Sequence, residues 1–534
     1  MVLVIVTGVI ILHIKAPAMF TQRVEKELTN LLNPDGEELY EIEISEVKFS
    51  SIFRKITFPY ILIRPKEELY EITEKDSLPD RLFHLEIRDF SVSSDGIIDF
   101  VRNKDKISFG NINLPHVLLT VFENPDGRKA KEQSSEEESE MPQRAEIKNL
   151  HLHLISMDQR LFADTAIKLL SAKHIDFSGG ISHEKSKEDT VPVILLKNYV
   201  LQAGAIGFFP QEELYSYHCD SIQMTANDSI VNLFSLRVTP LYGKLEFKNH
   251  LTYQTDRMDV QVESIALIGF DPNLLINENQ LSLSQITINN AHIGVLRDRN
   301  LPLDPSRRPL MPVRLMRTAP LPFYVHEIEL NVIDVIYSEL PEDATTEGVV
   351  PITGIRGSIS NFTNMPDSLQ RDSMMLINTA GQFFEEAQLK ASFDYNLMDI
   401  NGGYRARGEL SGLDFTRLNP VLMPLVSVEV EDGMHEKNTF FFSGNDVKST
   451  GEIEMHYTDL NITLEPDRSK LRQDIVNWAG RNLLYHPSNP ASNNELRTGT
   501  IDFERDVTRF VFHYWWNCYL TGIKETVLRD HVDL

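Results

Sequence analysis

The sequence predicts a mainly β protein, an elongated and twisted antiparallel sheet that forms an open groove with an apolar inner face. Between residues 39 and 464, most of the chain alternates apolar and polar residues, which places the apolar side chains on one face of each strand. A two-residue interruption of this alternation recurs along the chain. Helical spacing of apolar residues is found near the two ends. We therefore expect strands throughout, with an N-terminal helix and C-terminal capping helices.

The interruption is clearest between Gly451 and Leu464. Apolar residues alternate with polar ones up to Tyr457, two polar residues follow, and the alternation resumes at Leu460 in the opposite phase. Because strand side chains alternate between faces, these apolar residues share one face only if the strand bends or bulges there. The pattern apolar-x-apolar-x-x-apolar-x-apolar also occurs in the segments 42–49, 85–92, 217–224 and 286–293. Their irregular spacing argues against a solenoid of fixed period.

The first residues of the chain favour export or membrane attachment. Residues 1–14 are almost unbroken apolar sequence, which Lys15 ends. A helix of this length spans about 21 Å, less than the roughly 30 Å hydrocarbon core of a bilayer. The segment is either a signal-peptide core cleaved near Ala16-Pro17-Ala18, or a membrane anchor whose first residues precede this start. We prefer an anchor over residues 1–15.

The remaining chain divides by composition. Helical spacing over residues 18–32 predicts a helix that the turn at Asn33-Pro34-Asp35-Gly36 ends. The acidic run 131–140 is typical of a solvated loop, and a docking tail is the alternative. The predicted parts are an N-terminal β-groove half over 16–296, a connection over 297–322, a C-terminal β-groove half over 323–465 and C-terminal helices over 466–534.

The predicted connection is rich in proline and arginine. Six arginines lie between residues 297 and 317, in a chain whose net charge is −26. Proline removes a backbone donor, so we expect a long extended connection and not a strand pair. One hypothesis makes it a basic patch for anionic lipid headgroups, with Arg307 and Arg308 as membrane contacts. The other makes it a crossover whose arginines pair with the chain's own carboxylates, and we favour it.

The C-terminal region contains two predicted helices. Apolar residues four apart predict one over residues 467–485. Another, over residues 507–523, carries aromatic residues on several sides. Trp516 and Tyr519 are candidates for membrane contact, because amphipathic aromatic rings favour the headgroup level. The alternative, which we favour, is that the helix packs over the last strands and protects the terminal edge of the sheet.

Several function classes find no support in the sequence. The negative charge argues against nucleic-acid binding, because phosphates repel acidic surfaces. The two cysteines exclude a disulfide scaffold and a cysteine-rich zinc site. His151 and His153 share a strand face, but no carboxylate or cysteine stands at ligand spacing, so we predict no metal site and no cofactor. No phosphate-binding loop, dinucleotide-binding glycine run or nucleophile elbow is present, and we predict that the protein is not an enzyme.

Several segments of the chain together form a familiar pattern: an apolar N-terminal segment followed by a helix, and the segments Leu410–Val426, Val428–Gly433, Phe440–Gly444, Gly451–Leu460 and Leu520–Lys524. In these segments the chain resembles the AsmA-like proteins, and in particular a branch with a domain of unknown function from bacteria with two membranes. The resemblance implies a β-groove tethered to the inner membrane by a single N-terminal anchor, with its bulk in the periplasm. AsmA-like proteins resemble bridge-like lipid transfer proteins and are implicated in phospholipid movement toward the outer membrane.

The residues and the resemblance lead to the same leading hypothesis. No second set of strands or helices is predicted to cover the apolar face, and such a surface in water favours aggregation unless an apolar ligand such as acyl chains fills it. We therefore predict phospholipid binding, anchoring in the inner membrane through residues 1–14, and a possible envelope protein partner. The predicted groove residues are Ile42, Ile44, Leu85, Ile87, Ile286, Ile288, Ile328, Leu330, Met455 and Leu460.

Two other functions stay open at this point. One is a non-enzymatic scaffold or assembly factor for outer-membrane proteins, which would bind their strands through sheet edges. The other is a secreted carbohydrate-active β protein, which would need a cleft with paired carboxylates.

Overall fold

The computed structural model describes residues 17–33, 38–50, 55–71, 77–93, 106–128, 144–184, 193–210, 214–464 and 485–528. The protein is mainly β, with 60% strand and 16% helix, as the alternation predicts. Its 22 strands belong to a mixed, twisted sheet. The predicted anchor over residues 1–15, the acidic run 131–140 and most of the predicted helix 467–485 lie outside the described residues.

The chain forms two compact units. Unit 1 comprises Met1–Ser235 and Phe270–Asn279, and unit 2 comprises Leu236–Gly269 and Gln280–Leu534. The strand β12 (Ile230–Pro240) contains the point at which the chain leaves unit 1.

In the described part of unit 1, two α-helices accompany short and long strands. The helices are α1 (Pro17–Leu32) and α2 (Pro272–Glu278). The strands are β1 (Tyr40–Ile44), β2 (Lys48–Ser50), β3 (Lys55–Pro65), β4 (Arg81–Ser93), β5 (Lys106–Glu123), β6 (Arg144–Leu161), β7 (Lys168–Glu184), β8 (Val193–Ala203), β9 (Ile206–Phe208), β10 (Tyr215–Cys219) and β11 (Ser221–Thr225).

In unit 1 most neighbouring strands are antiparallel. β3 pairs with β1, β2 and β4, β4 pairs with β5, and β6 pairs with β7. The last residues of β7 pair with β8 and its first residues with β9, so β7 has two antiparallel neighbours along one side. β5 and β6 are parallel. The prediction of an all-antiparallel sheet is therefore wrong at this pair.

Among the described residues, unit 2 contains the remaining strands and four α-helices. The strands are β13 (Arg257–Ile268), β14 (Leu281–Asp298), β15 (Phe323–Leu340), β16 (Gly348–Thr363), β17 (Met374–Phe383), β18 (Ala387–Asn396), β19 (Tyr404–Asp414), β20 (Val428–Gly444), β21 (Lys448–Leu464) and β22 (Thr498–Glu504). The helices are α3 (Pro312–Arg317), α4 (Pro366–Arg371), α5 (Asn419–Val426) and α6 (Val511–Val527).

The strands of unit 2 pair in chain order, and one pair is parallel. β14 and β15 run in the same direction, whereas β13–β14 and each pair from β15 to β22 are antiparallel. Parallel neighbours need a crossover of a dozen or more residues, and residues 299–322 supply it. The prediction that this connection is a crossover is thus confirmed, whereas the predicted pairing of its arginines with carboxylates holds for only part of them. The connection is not extended throughout, because Pro312 begins α3, a position that proline tolerates.

The phase slips of the sequence correspond to kinks in the strands. In β4, β14 and β21 the second residue of the slip has a left-handed backbone: φ is 56° at Asp89, 48° at Asn290 and 54° at Asp459. Asn and Asp adopt this conformation more readily than most residues. In the segments 42–49 and 217–224 the slip instead falls between two strands, β1 and β2 or β10 and β11. The predicted kinks are confirmed.

Four further kinks in the described strands follow the same pattern and were missed at the level of sequence. The left-handed residues are His174 in β7, Asn198 in β8, Ser235 in β12 and Val332 in β15, with φ of 52°, 49°, 53° and 60°. Each is preceded and followed by apolar residues at the spacing described above. Val332 is the unusual member, because a branched β-carbon is strained in the left-handed region.

Replacing Val332 with asparagine is expected to stabilise unit 2 by about 1 kcal/mol, because the change relieves backbone strain. The same change at Val335, which lies beyond the kink and is not left-handed, should destabilise the protein. Thermal and denaturant unfolding of the two variants and the parent chain measures both effects. Destabilisation by Val332→Asn would contradict a strained kink.

Candidate functional site

The strand register of unit 2 brings apolar residues of successive strands into one continuous row. Residues opposite each other in neighbouring strands lie on the same side of a sheet. From β13 to β22 the row consists of Leu267, Ile286, Ile328, Ile359, Ile377, Phe393, Ala406, Phe442, Gly451 and Ile501. We call it the first apolar row. Two of the predicted groove residues, Ile286 and Ile328, belong to it.

A second apolar row runs beside the first on the same side of the sheet. In each strand, the member of the second row lies two residues from the member of the first row. Ile288 and Leu330, which were also predicted for the groove, belong to the second row. From β13 to β22 its members are Ile265, Ile288, Leu330, Gly357, Thr379, Ala391, Gly408, Phe440, Ile453 and Gly499. Small residues predominate in the middle of this row.

The residues between these rows point to the other side of the sheet, and most are polar. From β13 to β22 they are Ala266, Thr287, Glu329, Ser358, Asn378, Ser392, Arg407, Phe441, Glu452 and Thr500. Polar side chains bond to one another on this side: Ser392 donates to Asn378 within the row at 2.9 Å, and Gln285, two residues from Thr287, donates to Glu329 at 3.1 Å. Along these three rows, the residues on the two sides of the sheet therefore differ in polarity.

Unit 1 contains two apolar rows of its own, and they hold the four remaining N-terminal candidates. One row joins Ile44, Ile61, Ile87, Val117, Leu154 and Ile175. The other joins Ile42, Ile63, Leu85, Leu119, Met157, Ala172 and Ile206. The sequence pattern thus selected residues that the register places side by side.

The rows of unit 1 are partly covered by α1. Val24 and Leu28 of this helix are almost fully buried, in the same core as Ile44 and Ile87. Ile42 and Leu85 pack at the margin of that core. The expectation that no helix covers the apolar side is therefore wrong here, because the helix predicted for residues 18–32 packs onto the first strands.

In unit 2, α6 and the crossover cover the rows from β17 to β22. Tyr514 and Cys518 of α6 are buried with Phe442, Ile453 and Ile501 of the sheet. The crossover adds Met311, Val313 and Met316 to this core. Met455 and Leu460, the last two groove candidates, belong to a neighbouring closed core with Phe415, Val430 and Tyr457. A ligand can therefore contact the apolar rows only outside these cores.

The part of the rows on β13–β15 lies outside the cores around α6. Ile265, Leu267, Ile286, Ile288 and Leu330 are each half-buried, and none of them belongs to the closed cores around α6. Ile328 is 9% exposed. This segment combines apolar character on one side with a polar opposite side, and it is the candidate site.

The aromatic side chains of α6 divide into packed and exposed sets. Trp515 lies 4.4 Å from Phe393, centroid to centroid, and the Tyr519 hydroxyl accepts a hydrogen bond from Asn438. Trp516 is about half exposed and stacks on Tyr519 at 5.9 Å. Of the two predicted membrane contacts on this helix, Tyr519 therefore packs against the sheet, and Trp516 faces outward.

A buried hydroxyl network fixes α6 to the sheet. Ser449 donates to the Tyr514 hydroxyl at 2.8 Å and lies 2.7 Å from the Tyr404 hydroxyl. Burial raises the pKa of Tyr514 to about 12 and that of Cys518 to about 11. Both groups therefore stay protonated at neutral pH, and Cys518 lacks the thiolate that nucleophilic chemistry requires.

The arginines of the crossover have different partners. Arg297 forms a bidentate pair with Asp256 at 2.8 and 2.9 Å, Arg299 pairs with Glu339 at 2.5 Å, and Arg314 pairs with Asp446. Arg307 and Arg308, the two arginines predicted to contact a membrane, make contacts of another kind. The Arg307 guanidinium lies 4.3 Å from the centre of the Phe510 ring, and Arg308 donates to the backbone oxygens of Pro305 and Arg307.

The histidines give no sign of a metal centre. His153 lies 2.5 Å from the Asp176 carboxylate across the β6–β7 pair. Among the described residues, no group of three His, Cys, Asp or Glu side chains is placed to hold a metal ion. Nor is any helix of that part of the chain long and apolar enough to cross a membrane.

No family model matches the chain, and no curated protein is detectably similar to it. The resemblance to AsmA-like proteins thus stays a prediction based on the segments quoted above.

Proposed function

We propose that the protein binds lipid acyl chains along the apolar rows of its sheet and supports phospholipid transport in the biogenesis of an outer membrane. The observation that carries the proposal is that α6 and the crossover cover the apolar rows of unit 2 on β17–β22, whereas on β13–β15 the rows lie outside those cores. Leu267, Ile286 and Ile328 continue the first apolar row onto β13–β15, where its members remain half-buried or only just covered. A row of apolar side chains that stays partly open is unfavourable in water, and an acyl chain removes it from water.

The ligand class follows from the shape and chemistry of this site. The rows cross many strands and carry no charged residue on β13–β15. A long methylene chain can contact several strands at once, at about 0.8 kcal/mol per buried methylene group. In the proposed arrangement the protein is held at the inner membrane by its N-terminal segment and works in the periplasm, as the family resemblance implies.

A photo-crosslinking experiment tests acyl-chain contact. We expect a benzophenone amino acid at position 288 to crosslink to co-purifying phospholipid, because Ile288 lies in the second apolar row. The matched control is position 287, since Thr287 belongs to the polar row on the other side of the same strand. Mass spectrometry of the purified protein identifies the adduct. Equal labelling at both positions, or none at position 288, would contradict the proposal.

A second experiment measures bound lipid directly. The chain without residues 1–15 is purified, extracted with organic solvent and analysed for phospholipid. Stoichiometric lipid is expected, and Ile288→Glu should lower it severalfold while Thr287→Glu leaves it unchanged. A folded, lipid-free parent protein would instead favour the scaffold hypothesis.

A further inference from the structure

One edge of the unit 2 sheet collects several loops. The strand ends Tyr395 and Tyr404 are paired, as are Gly444 with Ser449 and Lys448 with Glu504. The turns 397–403 and 445–447 and the loop 505–510 therefore leave the sheet at the same edge. Backbone bonds join them, since Asp446 donates to the Asn401 oxygen at 3.0 Å and Arg505 to the Val447 oxygen at 2.8 Å.

The crossover helix α3 belongs to the same edge. Arg317 donates to the backbone oxygen of Leu397 at 3.1 Å, and Arg314 pairs with Asp446. We call this set, residues 397–403, 445–447, 505–512 and α3, the loop edge.

The loop edge exposes large apolar side chains on each of its segments. Ile400 is 73% exposed and Phe512 is 74% exposed. Leu315, Met398, Val447 and Val507 are exposed by between 45 and 67%. Isolated exposed apolar residues are ordinary, but such a concentration marks an interaction surface.

Arginines stand next to these side chains. Residues 305–317 carry four arginines and no Asp or Glu, in a chain with a net charge of −26, and Asp304 directly precedes them. Arg308 is exposed and forms no ion pair within the described residues. The nearby acidic groups are engaged locally: Asp446 with Arg314, Asp399 with the Asn401 amide at 2.9 Å, and Asp506 with the Thr508 amide at 2.9 Å.

We propose that the loop edge is a contact surface for an anionic lipid bilayer. Exposed apolar side chains on separate loops can each enter the interface between headgroups and acyl chains, while neighbouring arginines bind the phosphates. The excess of arginine in residues 305–317 is complementary to an anionic headgroup layer. The inference uses residues other than the apolar rows, so it and the proposed function can fail independently.

The test places an environment-sensitive nitrobenzoxadiazole label at position 400 of the full chain. The parent for labelling is Cys219→Ser, because Cys518 is buried, and the label is attached to Ile400→Cys. With vesicles of equal parts phosphatidylcholine and phosphatidylglycerol, the emission should shift to the blue and increase. A matched label at Leu245→Cys, 70% exposed and in the segment ahead of β13, should not change.

Two comparisons distinguish the effect of the arginines on vesicle binding from that of the N-terminal segment. Replacing Arg307 and Arg308 with glutamine should weaken the vesicle-dependent response at position 400 by about fivefold for each arginine. Vesicles of phosphatidylcholine alone should give a much smaller response. If residues 1–14 bind vesicles, they do so equally in both labelled proteins and move neither label into the bilayer by themselves.

Two outcomes would overturn the proposal. One is a water-like emission of the label at position 400 on protein that co-sediments with anionic vesicles. The other is an equal response at positions 400 and 245. Crosslinking at position 288 reports on the acyl-chain site and is unaffected by either result.

Discussion

Replacing Trp515 with alanine is expected to lower the free energy of unfolding by about 3–5 kcal/mol, the usual cost of truncating a large packed aromatic side chain. Trp515 packs against Phe393 at 4.4 Å and lies 6.3 Å from Tyr404 and 5.5 Å from Phe512, centroid to centroid. Its removal leaves a cavity between α6 and strands β18 and β19. Denaturant unfolding followed by far-ultraviolet circular dichroism measures the loss without depending on tryptophan emission.

The adjacent Trp516 provides the matched control. It is 46% exposed and stacks on a single ring, that of Tyr519. Trp516→Ala should therefore cost about 1 kcal/mol or less. Equal losses for the two variants would mean that α6 is not oriented as described. If both variants folded with unchanged stability and both bound vesicles more weakly, the helix itself would be a membrane contact.

The sequence identified the kinked strands because that signal is local. A kink needs a two-residue slip and a residue that tolerates positive φ, and Asp89, Asn290 and Asp459 supply both. The slip also occurs around Val332, but valine at that position conceals the left-handed conformation from any rule based on residue type. The candidate residues Ile286, Ile288, Ile328 and Leu330 lie in adjacent rows for the same reason, because the slip determines which face of the strand these residues occupy.

The parallel pairs were not predicted, because alternation reveals which face a residue occupies and not which strand lies beside it. In sequence, β14 and β15 look like two ordinary strands. They can be parallel neighbours only because the connection between them, residues 299–322, is long enough for a crossover. The covering of the rows was also missed. Met311, Val313 and Met316 are buried in the α6 core, yet they stand among prolines and arginines, where composition suggests an exposed segment.

Coverage of the apolar rows differs along this sheet. Where α6 and the crossover pack on β17–β22, the apolar rows form a conventional core that needs no ligand. On β13–β15 the same rows continue beyond these elements. An acyl chain would therefore complete on β13–β15 the apolar layer that protein side chains complete on β17–β22. This explains why residues with one sequence pattern divide into core positions, such as Met455, and half-buried positions, such as Ile288.

Acidification from pH 7 to pH 4 is expected to destabilise unit 2 partly through His435. The side chain is 1% exposed, its Nδ1 donates to the Ser411 oxygen at 3.0 Å, and its Nε2 has no hydrogen-bond partner among the described residues. Burial lowers the pKa of His435 from 6.5 to about 4. Between these values the unfolded chain binds a proton that the folded chain does not, so stability falls as the pH decreases through this window.

The contribution of His435 to this loss is about 3 kcal/mol, and comparison with His435→Asn isolates it. The asparagine Nδ2 can still donate to Ser411, but the side chain does not titrate. Denaturant unfolding at pH 7 and pH 4 should therefore show a loss smaller by about 3 kcal/mol in the variant than in the parent. His326→Asn is the control, because His326 is exposed on β15 and does not act on His435. It should leave the loss close to that of the parent. Equal losses in the parent and His435→Asn would mean that an acceptor or water reaches Nε2 and that the strands around His435 are less tightly closed.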